Sequence, residues 1–164
     1  MNAGPFIILP TMIPMLHIQA EDPASLDAQL LMDELSAVLA HITGDSGRAS
    51  FDPDDVRAAN AAFVVARNNT GQAVGCGAFR PLGDGIAEIK RMYSRPGHQG
   101  VGSAILAHLE ERARTLGYQT LWLETRKVNE RAVGFYRARG FQTIDNYGKY
   151  VGNTKAICFG KQLG

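Results

Sequence analysis

The sequence predicts one domain of the α/β (α+β) class, with a mixed six- to seven-stranded sheet flanked by about four helices. Three observations carry this. The chain has 164 residues, 45% hydrophobic and 20% charged, which suits a single core. Stretches with apolar residues at helical spacing alternate with apolar runs of strand length. Their order is strand, helices, three strands, helix, strand, helix, two strands. Such an order needs antiparallel pairing at the hairpins and parallel pairing where a helix crosses over. No linker divides it, so residues 15–164 read as one domain behind an N-terminal extension, 1–14.

That extension is apolar but carries prolines at 5, 10 and 14, which suit neither a helix nor a central strand. It lacks a basic leading region and is too short to span a bilayer. Residues 16–20 (LHIQA) alternate weakly and read as the first strand. Leu26, Leu30, Leu31, Leu35, Val38, Leu39 and Ile42 recur at helical spacing over 24–42, with Pro23 and Ser25 at the entry. A polar, turn-rich loop follows (GDSGRASFDPDD), and DPDDVRAAN opens a short second helix. AAFVVAR and AVGCGAFRPL are strands separated by the turn NNTGQ, the second one loosened by Gly75 and Gly77. Gly83-Asp84-Gly85 marks a hairpin, and IAEIKRMYS continues it. A helix with Val101, Ile105, Leu109, Ala113 and Leu116 on one face stops at Gly117. QTLWLET is a strand, NERAVGFYRAR a helix stopped by Gly140, and FQTID and KAICFGKQ are closing strands.

Charge excludes some functions. Lys plus Arg total 17 and Asp plus Glu 16, a net charge of +1, so nothing pulls the chain toward nucleic acid or an acidic membrane. The four histidines form no i,i+4 pair and have no nearby cysteine, so no metal site is expected. Cys76 and Cys158, in apolar strands, read as buried reduced thiols of a cytoplasmic protein.

The chemistry gathers between Ala87 and Phe141. Gly97-His98-Gln99-Gly100-Val101-Gly102-Ser103 joins a strand to an amphipathic helix. Small residues there let an anion approach the free amides and positive dipole end of the helix. A dinucleotide fingerprint is broken by Ile105 at its third glycine position, and a nucleotide P-loop by Ser103 where a lysine is required.

The run AEIKRMYSRPGHQGVGSAILAHLEERARTLGY, then LWLET, then NERAVGFYRARGF, resembles the central motifs of the GNAT superfamily of N-acetyltransferases. The likeness is strong over 86–141. The second motif, N-x-x-A-x-x-F-Y-x-x-x-G-F, is met at Asn129, Ala132, Phe135, Tyr136, Gly140 and Phe141. In the first, Gly100 and Gly102 fit, but the loop is two residues short, and either Gly97 or the Gln99-Gly100 pair aligns with its start. The resemblance implies acetyl-CoA as co-substrate, held by Met92, Tyr93, Ser94, His98, Gln99, Gly100, Val101, Gly102, Ser103, Asn129 and Tyr136, with no metal. Asn129 would also cap its helix.

The reaction implied is direct attack of an amine on the thioester in a ternary complex. It needs a base for the amine and an acid for the thiolate. Glu88, on the strand leading into the glycine segment, is the first candidate base, and Glu124 the second. Tyr136 is the candidate acid; the family tyrosine reaches the cofactor sulfur. The expected acceptor is the primary amine of a small molecule or amino acid. Acetylation of a protein amine, or a non-catalytic acyl-CoA sensor, are the alternatives, and a homodimer is left open. The acceptor should be met by the N-terminal helices, the GDSGRASFDPDD loop and the DNYGKYVGNTK loop.

Overall fold

The computed structural model describes residues 15–164, and the expectation for 1–14 lies outside them. Seven strands form one sheet: β1 (His17–Ala20), β2 (Ala62–Arg67), β3 (Ala73–Gly83), β4 (Ile86–Ser94), β5 (Thr120–Arg126), β6 (Gln142–Ile144) and β7 (Ala156–Gln162). Their spatial order is β1-β2-β3-β4-β5-β7-β6. All neighbours are antiparallel except β4 and β5, which are parallel and joined through α2 (Val101–Thr115).

Helix α1 (Leu26–Thr43) starts where the Ser25 side chain accepts the Ala28 amide at 3.1 Å, and ends at Gly44 in a left-handed conformation. Its buried face, Ala28 and Leu31, packs with Val56, Phe63, Val65, Cys76 and Ala78 on one side of the sheet. Helix α2 covers the other side with α3 (Glu130–Ala138), around Val64, Phe79, Ile105, Leu109, Leu121, Leu123 and Phe159. The expected second helix at DPDDVRAAN is only a 3-10 turn at Pro53–Val56, capped by Asp52. The helical layer therefore holds three α-helices, not about four, among the described residues. After Val56 the sequence offers no further apolar repeat before β2 begins, so a longer helix would have no face to bury.

Gly75 and Gly77 do not loosen β3. Both are buried, and a Cβ on Gly75 would stand 2.7 Å from the Tyr93 carbonyl oxygen and from Val101. One on Gly77 would meet Met92 Sδ at 2.6 Å and Ile105 at 2.7 Å. These glycines let α2 lie close on the sheet directly beside the end of β4.

Candidate active site

Strands β4 and β5 part company halfway along. Their parallel pairing covers only Ile86–Thr120, Ala87–Leu121 and Glu88–Trp122. Beyond Glu88, β4 follows β3 to the Gly75–Ser94 pair, while β5 follows β7 to the Arg126–Ala156 pair. The departure coincides with a bulge: register slips between Cys76 and Ala78, and Arg91 takes φ +53°. A left-handed non-glycine residue is costly and is kept where the surroundings hold it. The Arg91 guanidinium is so held, donating to Met32 O at 2.9 Å and to Ser36 Oγ at 2.6 Å on α1.

A cleft of about 1200 Å³ occupies the split. Neighbouring residues on each strand line it, Ile89 and Lys90 on β4, Leu123 and Glu124 on β5. Since successive strand residues face opposite sides, the cleft passes through the sheet. On the α1 side its walls include Leu35, Leu39, Phe51 and Tyr150.

On the α2 side lies the glycine segment. Gly97 and Gly100 have φ of +85° and +79°, which an L side chain would strain. Gly100 caps α2 without any side-chain hydrogen bond, and the first intrahelical bond runs from the Ala104 amide to Gly100 O at 3.0 Å. The amides of Val101, Gly102 and Ser103 thus lack intrahelical partners. No acid sits in this first turn. Instead Arg139, stacked 3.8 Å from the Phe135 ring centroid, donates its Nε to Ser103 Oγ at 2.9 Å. A cation beside the positive end of a helix is unfavourable alone, and the pair becomes favourable with an anion between them.

Eleven of the sequence-derived residues meet in this one cleft: Met92, Tyr93, Ser94, His98, Gln99, Gly100, Val101, Gly102, Ser103, Asn129 and Tyr136. Asn129 also caps α3, its Oδ1 accepting the Ala132 amide at 3.3 Å. Tyr136 is 7% exposed and packed edge-on to Phe135 and Phe141. Burial raises its phenol above the ordinary value.

Glu88 lies outside that lining. It is 1% exposed and takes Arg80 Nε at 2.7 Å, Lys90 Nζ at 3.5 Å and the Tyr147 hydroxyl. Glu124 does line the cleft. Burial raises its carboxyl above the ordinary value, opposed by Arg126, whose Nη1 donates at 2.9 Å, and by Lys90. Lys90, on the same strand face, is pushed below the ordinary lysine value by burial, which outweighs Glu88.

Sequence reasoning did not single out Arg139, Arg91 or Tyr150. Arg139 stands three residues after Tyr136 with nothing local to mark it, and nothing local announces that Arg91 is left-handed. Tyr150 was contained in the loop expected to meet the acceptor. Both thiols are buried and unpaired, and burial pushes Cys76 up to about 12. Among the described residues no group of three or more His, Cys, Asp or Glu side chains could hold a metal, and no helix is long and apolar enough to cross a membrane.

A seven-stranded sheet split beside a glycine-initiated helix is the arrangement expected from the resemblance of the central motifs, and comparison with known proteins agrees. Residues 28–141 match the Acetyltransferase (GNAT) family, and the chain belongs to that family. It is 30% identical over 92% of its length to the whole of an IAA acetyltransferase from Azospirillum brasilense. A crystal structure from Klebsiella pneumoniae, provisionally assigned to the acyl-CoA N-acyltransferases, superposes with a TM-score of 0.77. That pair shares 28% identity over 92% of this chain and 99% of the other. The PaiA N-acetyltransferase of Thermoplasma acidophilum, solved in complex with coenzyme A, shares the fold at a TM-score of 0.70. It is 17% identical, over 90% of this chain and 99% of its own.

Proposed function

We propose that the chain transfers the acetyl group of acetyl-CoA to the primary amine of a small molecule or amino acid, by direct attack within a ternary complex. The observation that carries this reading is the split itself. A cleft that crosses the sheet gives two substrates separate entrances and one meeting point between β4 and β5.

On the α2 side, the free amides of Val101, Gly102 and Ser103, with Arg139, suit the pyrophosphate of acetyl-CoA. The β4 segment Met92–Ser94, released from β5, offers backbone groups to the pantetheine arm. The amine enters from the α1 side. Its nitrogen attacks the thioester carbonyl, the C–N bond forms, the C–S bond breaks, and Tyr136 gives its proton to the departing thiolate. An ordinary phenol near pKa 10 already holds its proton more tightly than a thiol near 8.5, and burial raises Tyr136 further, so the transfer is uphill and relies on the phenol being held against the thiolate as it forms. The amine's proton passes to a carboxylate on the acceptor side. Of the two candidates, Glu124 lines the cleft and Glu88 is occupied by three donors, so we assign the base to Glu124. None of the described cleft-lining residues is a cysteine that could carry a covalent acetyl group.

The test is thiol release from acetyl-CoA across a panel of aliphatic amines, aromatic amines and amino acids, with mass detection of the N-acetyl product. Acceptor-dependent release with a matching product supports the assignment. Tight acetyl-CoA binding with no release for any amine would turn the reading to a sensor.

A further inference from the structure

We propose that Glu88 is a positioning residue: through Tyr147 and Lys90 it latches the segment 145–155 over the acceptor end of the cleft, and so sets the Tyr150 ring against the acceptor. This rests on the amine acetyltransferase reading above.

A carboxylate at 1% exposure must be matched by donors or it destabilises the fold. Arg80 on β3 and Lys90 on β4 supply two from the sheet. The third, the Tyr147 hydroxyl, arrives from the far side of α2, β5, α3 and β6. Tyr147 then lies 4.9 Å from the Trp122 ring and edge-on to Tyr150 at 5.6 Å. Trp122 is the β5 partner of Glu88 in the last pair before the split. The latch therefore sits at the apex of the cleft.

The segment is braced so that a pull on Tyr147 is felt at Tyr150. The Asn146 side-chain amide donates to Tyr150 O and Asn153 O, both at 3.1 Å. A 3-10 turn, Gly148–Tyr150, joins the two tyrosines. Lys90 Nζ donates to the Tyr150 hydroxyl at 3.4 Å while remaining 3.5 Å from Glu88. Of the described residues in this segment, Tyr150 is the one that lines the cleft. Its ring joins Leu35, Leu39 and Phe51 as an apolar wall, which suits an amine carried on an aliphatic or aromatic body.

The experiment compares wild type, Tyr147→Phe and Glu88→Gln by hydrogen–deuterium exchange and by steady-state kinetics, with phenethylamine as the probe acceptor. In both variants the amides of 145–155 should exchange at least tenfold faster, while those of α2 keep their protection. The KM for phenethylamine should rise at least fivefold in Tyr147→Phe, with kcat and the KM for acetyl-CoA within about twofold. Tyr147→Phe removes one hydroxyl and leaves Arg80 and Lys90 on Glu88, so it remains decisive if Glu88→Gln folds poorly. Wild-type exchange rates at 145–155 in Tyr147→Phe would overturn the latch. So would a Glu88→Gln variant that loses kcat with its acceptor KM unchanged, since that would make Glu88 the proton acceptor. A wild-type chain that acetylates no amine would sink the acetyltransfer reading, and the exchange comparison would still decide the latch.

Discussion

In the proposed reaction, Tyr136 and Glu124 divide the proton chemistry by their surroundings. The phenol is enclosed by Phe135 and Phe141 on α3 and the following turn, and this burial raises its pKa, so the neutral phenol is the form that would meet a thiolate. Tyr136→Phe removes only that hydroxyl from a packed ring. We expect kcat to fall by about 10²- to 10⁴-fold, the usual range for a general acid, with acetyl-CoA affinity within about threefold by calorimetry. A kcat loss under about threefold would remove the tyrosine from the mechanism. Glu124 must be deprotonated to accept the amine's proton. Because burial raises its pKa, turnover should climb with pH through a point above the ordinary carboxylate range. Glu124→Gln should lower turnover and erase that rise in a pH–rate profile. Retention of the rise in the variant would assign it to another group.

Among the elements, β3 and the start of α2 carry the most consequence per residue. Gly75 lets α2 and the Tyr93 carbonyl approach β3 more closely than any Cβ allows. Gly75→Ala should cost about 1–3 kcal/mol by overpacking, a drop of roughly 2–12 °C in melting temperature for a chain of this size. An unchanged melting temperature would mean the two elements separate freely. At Gly102, in the first turn of α2, a Cβ would lie 3.2 Å from the Phe135 ring on which Arg139 stacks. Gly102→Val should weaken acetyl-CoA binding at least tenfold, measured by calorimetry. Equal affinity would count against the amide cradle. The order and type of every strand and long helix were legible from periodicity and turn residues, and the eleven residues that the family resemblance assigned to the cofactor line one cleft. The bulge at Arg91 was not, because it depends on α1 accepting the guanidinium across a separation that no local pattern encodes. The role of Gly75 and Gly77 was misread as loosening, since a glycine in a strand looks the same in sequence whether it weakens packing or permits it.

At the scale of the whole molecule, the sheet is a continuous wall with one opening. β4 holds to β3 and β5 holds to β7, so the two halves are each well paired and the opening is fixed where their pairing ends at Glu88 and Trp122. The sequence located both strands, but their separation is a property of pairing across the fold. The same limit applies to Glu88, whose place on β4 was plain while its partner Tyr147 lay 59 residues away. The central claim is that acetyl-CoA and the amine occupy the opening together and react directly. Initial rates measured over a grid of acetyl-CoA and phenethylamine concentrations test it most directly. Double-reciprocal lines that intersect are the predicted result, since both substrates must be bound before the first product leaves. Parallel lines, with an acetylated protein detected by intact mass, would contradict it.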